Sequence, residues 1–497
     1  MNYNCSTHIN QNGQDYLNNR GPYGCIGHSH RDLHPNSILS CCCSPRREFH
    51  SQLATSAGNA GYTCSLLNRV FSKNETFTAT SPYYDVLIDE ARSQNCRLNA
   101  SCVVTPDSAQ EVSRLLQILG ILETKFAIRS GGHNTNPGFS SIDHHGGLIA
   151  LGKLNIMSIS ADRGTVIIGP GNKWGAVYKY LQPYNVTVLG GREVDVSVGG
   201  GLGAFHNTHG LAIDSVTRFQ DSRGGLNNFG IVTEYDLTTG IDIYYELKTY
   251  TVSNTPAVLE AYAKYLLDAD INSNVKIQIN PTYTLVFYGH LGHVPTPAAF
   301  GPFSGIPVAS TVYPATNGSL SELLLTIGSP GLTSDGVSYG GTFTFELTGP
   351  KFLRNTFSAY LEAAASLPSG AVLSYVPQGV IPNLVTRGKS QNGGNLLGLE
   401  ATTQIRANIF VQFPETLSQS VVTGTEDSVL ANLISSAQSQ GLFLPYIFVN
   451  DGSPNQKPLQ SFGEKNIKYI DIVAKKYDPK RIMQNLQNLA YFVSNEL

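Results

Sequence analysis

Residues 1 to about 60 mix Asn, Gly, Ser, His and Arg without any hydrophobic period, which predicts a disordered leader over 1–60. From Cys102 the pattern becomes regular. Cys102-Val-Val-Thr reads as a short strand, 108–119 places Val112, Leu115, Leu116 and Leu119 at helical spacing, and Lys125-Phe-Ala-Ile-Arg reads as a strand again. Further strands are expected at 147–151, 165–169 and 187–189, with a helix at 174–181, so 64–240 reads as one α/β region. Order is expected to begin near Cys64. Between 241 and 445 the period changes to alternation in Val275-Lys-Ile-Gln-Ile and Ile405-Arg-Ala-Asn-Ile-Phe-Val-Gln-Phe, the mark of strands with one buried face. Helical spacing recurs at 257–267 and 428–437. This predicts a second α+β domain, whose mainly antiparallel sheet carries helices on one side and offers the other to a ligand. In the closing segment, 446–497, Ile467, Ile470, Ala474 and Tyr477 share one stripe of a last helix ending at Asp478-Pro479.

Composition narrows the function classes. At 497 residues the chain fits two or three domains, and 49 Gly and 25 Pro with 14% charged residues describe a loop-rich globular protein. A formal net charge of −3 supplies no basic field for nucleic acid or an anionic membrane. No run approaches the roughly 18 apolar residues of a membrane-spanning helix. A small-molecule partner is the remaining expectation; the oligomeric state is left open. All eight cysteines lie in the first 102 residues, and one pair among Cys64, Cys96 and Cys102 could bridge in an oxidising compartment. Asn74, Asn99, Asn185 and Asn317 begin glycosylation tripeptides, which suit secretion, whereas the polar first twenty residues show no secretory signal; location stays undecided. The leader's Cys and His residues match no standard zinc spacing, and His206-Asn-Thr-His209 has no carboxylate or cysteine nearby, so no metal site is expected.

The most informative segment is Arg129-Ser-Gly-Gly-His-Asn134, placed directly after a strand. Adjacent glycines let backbone approach a ligand closely and present several N–H groups together, as a pyrophosphate requires. The segment continues through Gly138-Phe-Ser-Ser, Gly146-Gly-Leu-Ile-Ala-Leu, Val166-Ile-Ile-Gly-Pro-Gly and Gly190-Gly-Arg192. Downstream stand Val196-Ser-Val-Gly-Gly200, His209-Gly-Leu-Ala-Ile-Asp214, Asn228-Phe-Gly-Ile-Val-Thr233, Phe448-Val-Asn450 and Lys476-Tyr-Asp-Pro479. In this order the motifs resemble the berberine-bridge-enzyme-like branch of the p-cresol methylhydroxylase (PCMH) and vanillyl-alcohol oxidase superfamily, over about 64–492.

The resemblance implies an α+β fold with a PCMH-type FAD-binding domain of two α/β subdomains and a second, substrate-binding domain. It implies that FAD is bound through Arg129, Ser130, Gly131, Gly132, His133, Asn134, Gly138, Gly199, Gly200, Gly203, Gly230, Val232 and Asn450. His133 is the implied covalent link to the flavin 8α carbon. Relatives that add a second link through cysteine have it just before the glycine-rich Val-Gly stretch; here Gly190-Gly-Arg192 stands there and no cysteine follows 102, so a single link is expected. The implied activity is an FAD-dependent oxidase that takes hydride from a C–H next to O or N of an alcohol, sugar or secondary metabolite, with O2 as reoxidant. The alternatives are a dehydrogenase with another acceptor, or a non-catalytic remnant of the fold. The remnant reading rests on a departure from the family: Arg218–Arg223 runs almost at once into Gly224-Gly-Leu, where relatives carry a further strand-helix unit. For the catalytic base the candidate is Tyr446, weighed against a buried structural tyrosine.

Overall fold

The computed structural model describes residues 58–72, 74–188, 190–191, 193–202, 228–240, 243–327, 336–390 and 396–495. The expected leader, the shortened stretch around 219–223, Gly203, His206 and His209 lie outside them. The fold is under way earlier than expected, because Asn59 caps helix α1 (Ala60–Val70) by accepting from the Tyr62 amide at 2.9 Å. Cys64 on that helix bridges to Cys102, choosing one pair among the three cysteines, and Cys96 stays free and buried.

Three sheets organise the described residues. The first has the order β1 (Thr76–Phe77), β2 (Cys102–Val104), β4 (Gly146–Ala150), β3 (Lys125–Arg129), with β2, β4 and β3 parallel. Helix α2 (Tyr84–Asp89) follows β1, and α3 (Ala109–Ile121) makes the crossover from β2 to β3. Ser108 caps α3, and Val112, Leu115 and Leu119 bury its inner stripe beside Phe126 and Ile149. The second sheet is antiparallel, β5 (Met157–Ile159), β6 (Thr165–Ile168), β8 (Tyr235–Gly240), β7 (Thr187–Val188). Helix α4 (Trp174–Leu181) packs on it through Trp174, Val177, Tyr178 and Leu181, all fully buried.

The third sheet has eight antiparallel strands. Their order is β12 (Ser310–Gly318), β9 (Ile243–Thr251), β11 (Tyr283–Leu291), β10 (Ser273–Ile279), β14 (Val372–Val380), β15 (Gln404–Phe413), β13 (Val337–Glu346), β16 (Phe443–Leu444). Alternation sorts its faces as expected. Val275, Ile277, Ile279, Ile405, Ala407, Ile409 and Val411 form a core with Val258 and Tyr262 on the helix Thr255–Leu267, Leu353 and Tyr360 on the helix Pro350–Ser366, and Leu430 and Leu433 on the helix Gln419–Ser439. Lys276, Gln278, Asn408, Phe410 and Gln412 belong to the opposite face.

The helix Glu464–Tyr477 ends where Asp478-Pro479 predicts, but a further short helix, Ile482–Leu486, follows it. That tail returns to the first sheet: the Asn488 amide donates to Phe126 O at 2.7 Å, and Met483 is buried in the core of α3. Among the described residues no helix is long and apolar enough to cross a membrane.

Candidate cofactor and substrate site

A cavity of about 400 Å³ opens between the flat face of the eight-stranded sheet and the loops of the two smaller sheets. The loop after β3 forms its floor. Alternation along β3 decides which side chains point there: Ile128 and Ser130 line the cavity, whereas Arg129 between them points away. Its guanidinium is almost fully buried, donating to Leu87 O, to Ile88 O at 3.4 Å and to Glu90 Oε2 at 3.2 Å. Arg129 therefore clamps the end of α2 and does not line the cavity, which corrects its expected role as a direct cofactor contact.

The glycines after it are dictated by space. A Cβ on Gly131 would lie 2.6 Å from Ser197 Cβ, and one on Gly132 would lie 2.5 Å from Glu90 O. Gly132 also has φ +72°, which an L side chain rarely adopts. From the opposite side Val198 N donates to Asn172 O, Gly199 N to Pro170 O, and Gly200 N to Ser197 Oγ. Ser130, Gly131, Gly132, His133, Asn134, Gly199 and Gly200 thus come together along the cavity. Gly230, Val232 and Asn450 line it as well. Gly138 does not: with φ +87° it is pressed against Leu489, and its carbonyl accepts from Asn488 Nδ2 at 3.1 Å. Its role is to seat the C-terminal tail.

His133 follows directly in the same loop and lines the cavity. Arg92 holds the segment twice, through its backbone N–H to Gly132 O at 2.9 Å and through Nη1 at 3.2 Å from His133 Nε2. Burial first, and the Arg92 cation second, push the imidazole down to about 4, against the opposing pull of Glu193 and Asp195. At neutral pH the ring is an uncharged base. Arg92, Glu193 and Lys276 all line the same cavity, with Lys276 Nζ 4.0 Å from Glu193 Oε1.

Tyr446 is not part of this site. It is 2% exposed and packs with Phe448, Leu459, Phe462 and Ile470 under the helix Glu464–Tyr477. It does not line the cavity, so burial in that cluster removes it as the proton acceptor. Tyr491 takes a place at the cavity instead, its hydroxyl 2.9 Å from both Gly452 O and Ser453 O and 3.3 Å from Asn136 Nδ2. On the sheet wall stand Lys276, Gln278, Ser338, Val376, Asn408, Phe410 and Gln412, none of which the motifs single out. Asn408 is only 9% exposed, and its Oδ1 meets no hydrogen-bond donor among the described residues. Such an acceptor can take a donor from water or from a bound molecule.

The donor set fits an FAD. Glycine backbone without side chains lines the cavity where a pyrophosphate could approach it, the cavity falls in the size range of cofactor clefts, and an uncharged imidazole stands at its wall. Comparison with known proteins agrees. Residues 100–220 match the model of an FAD binding domain. The FAD-dependent monooxygenase macF of Penicillium terrestre is 75% identical, the alignment covering 88% of this chain and 91% of that protein. Among solved structures, the BBE-like 1 protein of Physcomitrella patens superposes with a TM-score of 0.67 at 14% identity, covering 87% of this chain and 99% of that one. The 6-hydroxy-D-nicotine oxidase of Arthrobacter nicotinovorans gives 0.65 at 16% identity, covering 84% and 97%. The chain belongs to the family of FAD-linked oxidoreductases that includes this Penicillium protein, and it has the fold of the berberine-bridge-enzyme-like proteins.

Proposed function

We propose that this chain is an oxidase that holds FAD by a single covalent bond from His133 and oxidises a small organic substrate at a C–H next to O or N. FAD supplies the hydride acceptor, and dioxygen takes the electrons onward as hydrogen peroxide. The chain's own residues divide the remaining work. Gly131, Gly132, Gly199 and Gly200 provide close-approaching backbone for the pyrophosphate. His133 presents an uncharged imidazole whose nitrogen can form the bond. Lys276, Gln278, Asn408 and Gln412 offer the polar groups that orient a substrate hydroxyl or amine, and Phe410 and Val376 cover its apolar part.

A single link is supported by the packing at Gly190 and Gly191. A Cβ there would lie 2.2 Å and 2.4 Å from the buried indole of Trp174, leaving no room for a second attachment side chain. The observation that carries the proposal is the neutral, Arg92-held His133 at the cavity wall. Its test is acid denaturation of the purified protein followed by a gel read for flavin fluorescence. Fluorescence should travel with the wild-type chain and vanish in His133→Ala; wild-type protein whose yellow colour is released entirely by acid sinks the covalent link.

The monooxygenase names of the relatives favour a second reading, in which an oxygen atom enters the product. Peroxide yield separates the two: one peroxide per substrate marks the oxidase, while ¹⁸O from dioxygen in the product marks oxygen insertion. A non-catalytic remnant is the third outcome. The Penicillium alignment runs over 470 positions yet takes in 88% of these 497 residues, which leaves some positions of the relative opposite no residue here and supports a shortened segment. A protein that binds flavin but never reduces it with any substrate presented supports that outcome.

A further inference from the structure

We propose that Asp143, His144 and His145 form a surface site for a divalent cation of the zinc, nickel and copper class, in the turn that leads into β4. None of the three lines the cavity. The ion would therefore be structural, and the site stands apart from the flavin reading, from the leader and from His206 and His209.

The turn gathers the donors. Each of the three residues offers one ligand atom, and these atoms lie within 4.8 Å of one another. His145 Nδ1 stands 2.8 Å from Asp143 Oδ1, and the rings of His144 and His145 are 4.0 Å apart between centroids. Two ligand atoms about 2.1 Å from an ion and at right angles to each other are about 3 Å apart, so Asp143 and His145 already keep the spacing of neighbouring ligands. His144 is exposed, and rotation of its side chain closes the remaining distance.

The backbone beneath is pinned. The His145 amide donates to Asp143 Oδ1 at 3.0 Å and the Gly146 amide to Asp143 O at 3.2 Å. Ser101, just before β2, donates from Oγ to His144 O at 2.5 Å and from its amide to Gly146 O at 2.9 Å. Gly146 admits no side chain, since a Cβ there would lie 2.3 Å from Ile142 Cδ1 and 2.4 Å from Lys125 O.

Two imidazoles and a carboxylate suit zinc, nickel and copper, whereas magnesium and calcium favour sets made of oxygen alone. The His145 amide first, and its ring second, hold the Asp143 carboxyl below its ordinary value, so it stands ready as an anion. The proton shared by His145 Nδ1 and Asp143 passes to water as the ion takes its place, and water completes the coordination shell. The consequence reaches inward. This turn closes the same connection that opens at Ser130 and carries His133, with Phe139 and Ser140 still lining the cavity near its end. A bound ion would fasten the far end of that connection between β2 and β4.

The experiment is carbethoxylation of the chelator-treated full chain by diethyl pyrocarbonate, with and without Zn²⁺, each histidine being read by tandem mass spectrometry so that this turn is kept apart from the histidines of 1–60. Once zinc reaches about ten times its Kd, modification of His144 and His145 should slow about tenfold relative to His293, an exposed histidine of another loop, and Mg²⁺ at the same concentration should leave it unchanged. In Asp143→Asn the zinc concentration that gives half protection should rise at least about tenfold. A cooperative melt reports that the variant is folded, and Asp143→Ala takes its place if it is not. Equal rates with and without Zn²⁺ overturn the site. Equal protection in wild type and the Asp143 variant overturns the part given to the carboxylate, and protection by Mg²⁺ as good as by Zn²⁺ overturns the class of cation.

Discussion

Replacing Gly132 by alanine tests whether the loop before His133 is held by packing as tightly as its geometry requires. The added Cβ faces backbone, with Glu90 O at 2.5 Å, Glu90 C at 3.1 Å and Ala91 Cα at 3.2 Å, so no side-chain rotation relieves it. The backbone is also left-handed there, at φ +72°. Holding a non-glycine residue in that region costs about 1–2 kcal/mol, and forcing an extra methyl into packed surroundings about 1–3 kcal/mol. Together these give about 2–5 kcal/mol, a large share of a typical domain stability of about 5–15 kcal/mol. At about 2–4 °C per kcal/mol for a domain of 150–250 residues, the melting temperature should fall by about 4–20 °C. Gly152→Ala is the matched control, because nothing lies within 4 Å of the place its methyl would take, and its change should stay within about 0.5 kcal/mol. Thermal melts of both variants, read alongside retained flavin, decide the matter. Equal melting temperatures would refute the claim that the contact with residues 90 and 91 dictates glycine at 132.

Removing the Cys64–Cys102 bridge by Cys64→Ala with Cys102→Ala frees a loop spanning a sequence separation of 38, which chain-entropy reasoning values at about 4 kcal/mol as an upper figure; an unchanged denaturation midpoint contradicts it. Glu426 is buried beneath β13, where burial first and the neighbouring Asp427 second raise its carboxyl to about 8, against the opposing Gly341 amide. Because the folded value lies above the ordinary 4.5, its favourable contribution is complete below about pH 4.5 and is lost as pH rises to about 8, so Glu426→Gln should raise the melting temperature more at pH 8 than at pH 5. An equal effect at both pH values argues that the carboxyl finds a partner when ionised. Gly191→Cys places a side chain 2.4 Å from Trp174 Cδ1, so it should cost about 1–3 kcal/mol and, combined with His133→Ala, still give no acid-stable flavin; a fluorescent band in that double variant shows room for a second link.

Much of this fold could be read before the structure, for physical reasons that differ from element to element. The helix Trp174–Leu181 agrees at both ends because its apolar stripe is fully buried and Gln182-Pro183 begins a new turn. The strands Ser273–Ile279 and Gln404–Phe413 agree because alternation records a single buried face. The same alternation predicts a sheet face offered to a ligand but singles out no residue on it. Lys276 and Gln278 look in the sequence like ordinary solvent-facing positions, since a period of two says which face meets the helices and nothing about what covers the other. Arg92 was invisible for another reason: it stands in Ala91-Arg-Ser-Gln-Asn-Cys96, a stretch without period or motif, 41 residues before the His133 it meets. Arg129 shows the converse, since it sits inside the motif, yet alternation along β3 turns it away from the cavity to hold α2.

The two walls of the cavity are built by different means, and this explains why single residues were legible on one and only the face as a whole on the other. The cofactor wall uses backbone, and backbone that must approach closely leaves its mark as glycine: Gly131, Gly132 and Gly199 would each place a Cβ within 2.7 Å of a neighbour. An added side chain at such positions meets a neighbour at once, so glycine there is readable as a packing requirement. The sheet wall uses side chains on a regular scaffold, where Gln278, Asn408 and Gln412 can be exchanged without disturbing the ladder beneath them. The two walls meet at Glu193, which faces Lys276 of the sheet at 4.0 Å and acts, with Asp195, against Arg92 in setting the charge of His133. The charge of His133 is thereby tied to a carboxylate that also faces the sheet wall, so a change at Lys276 should reach His133 through Glu193.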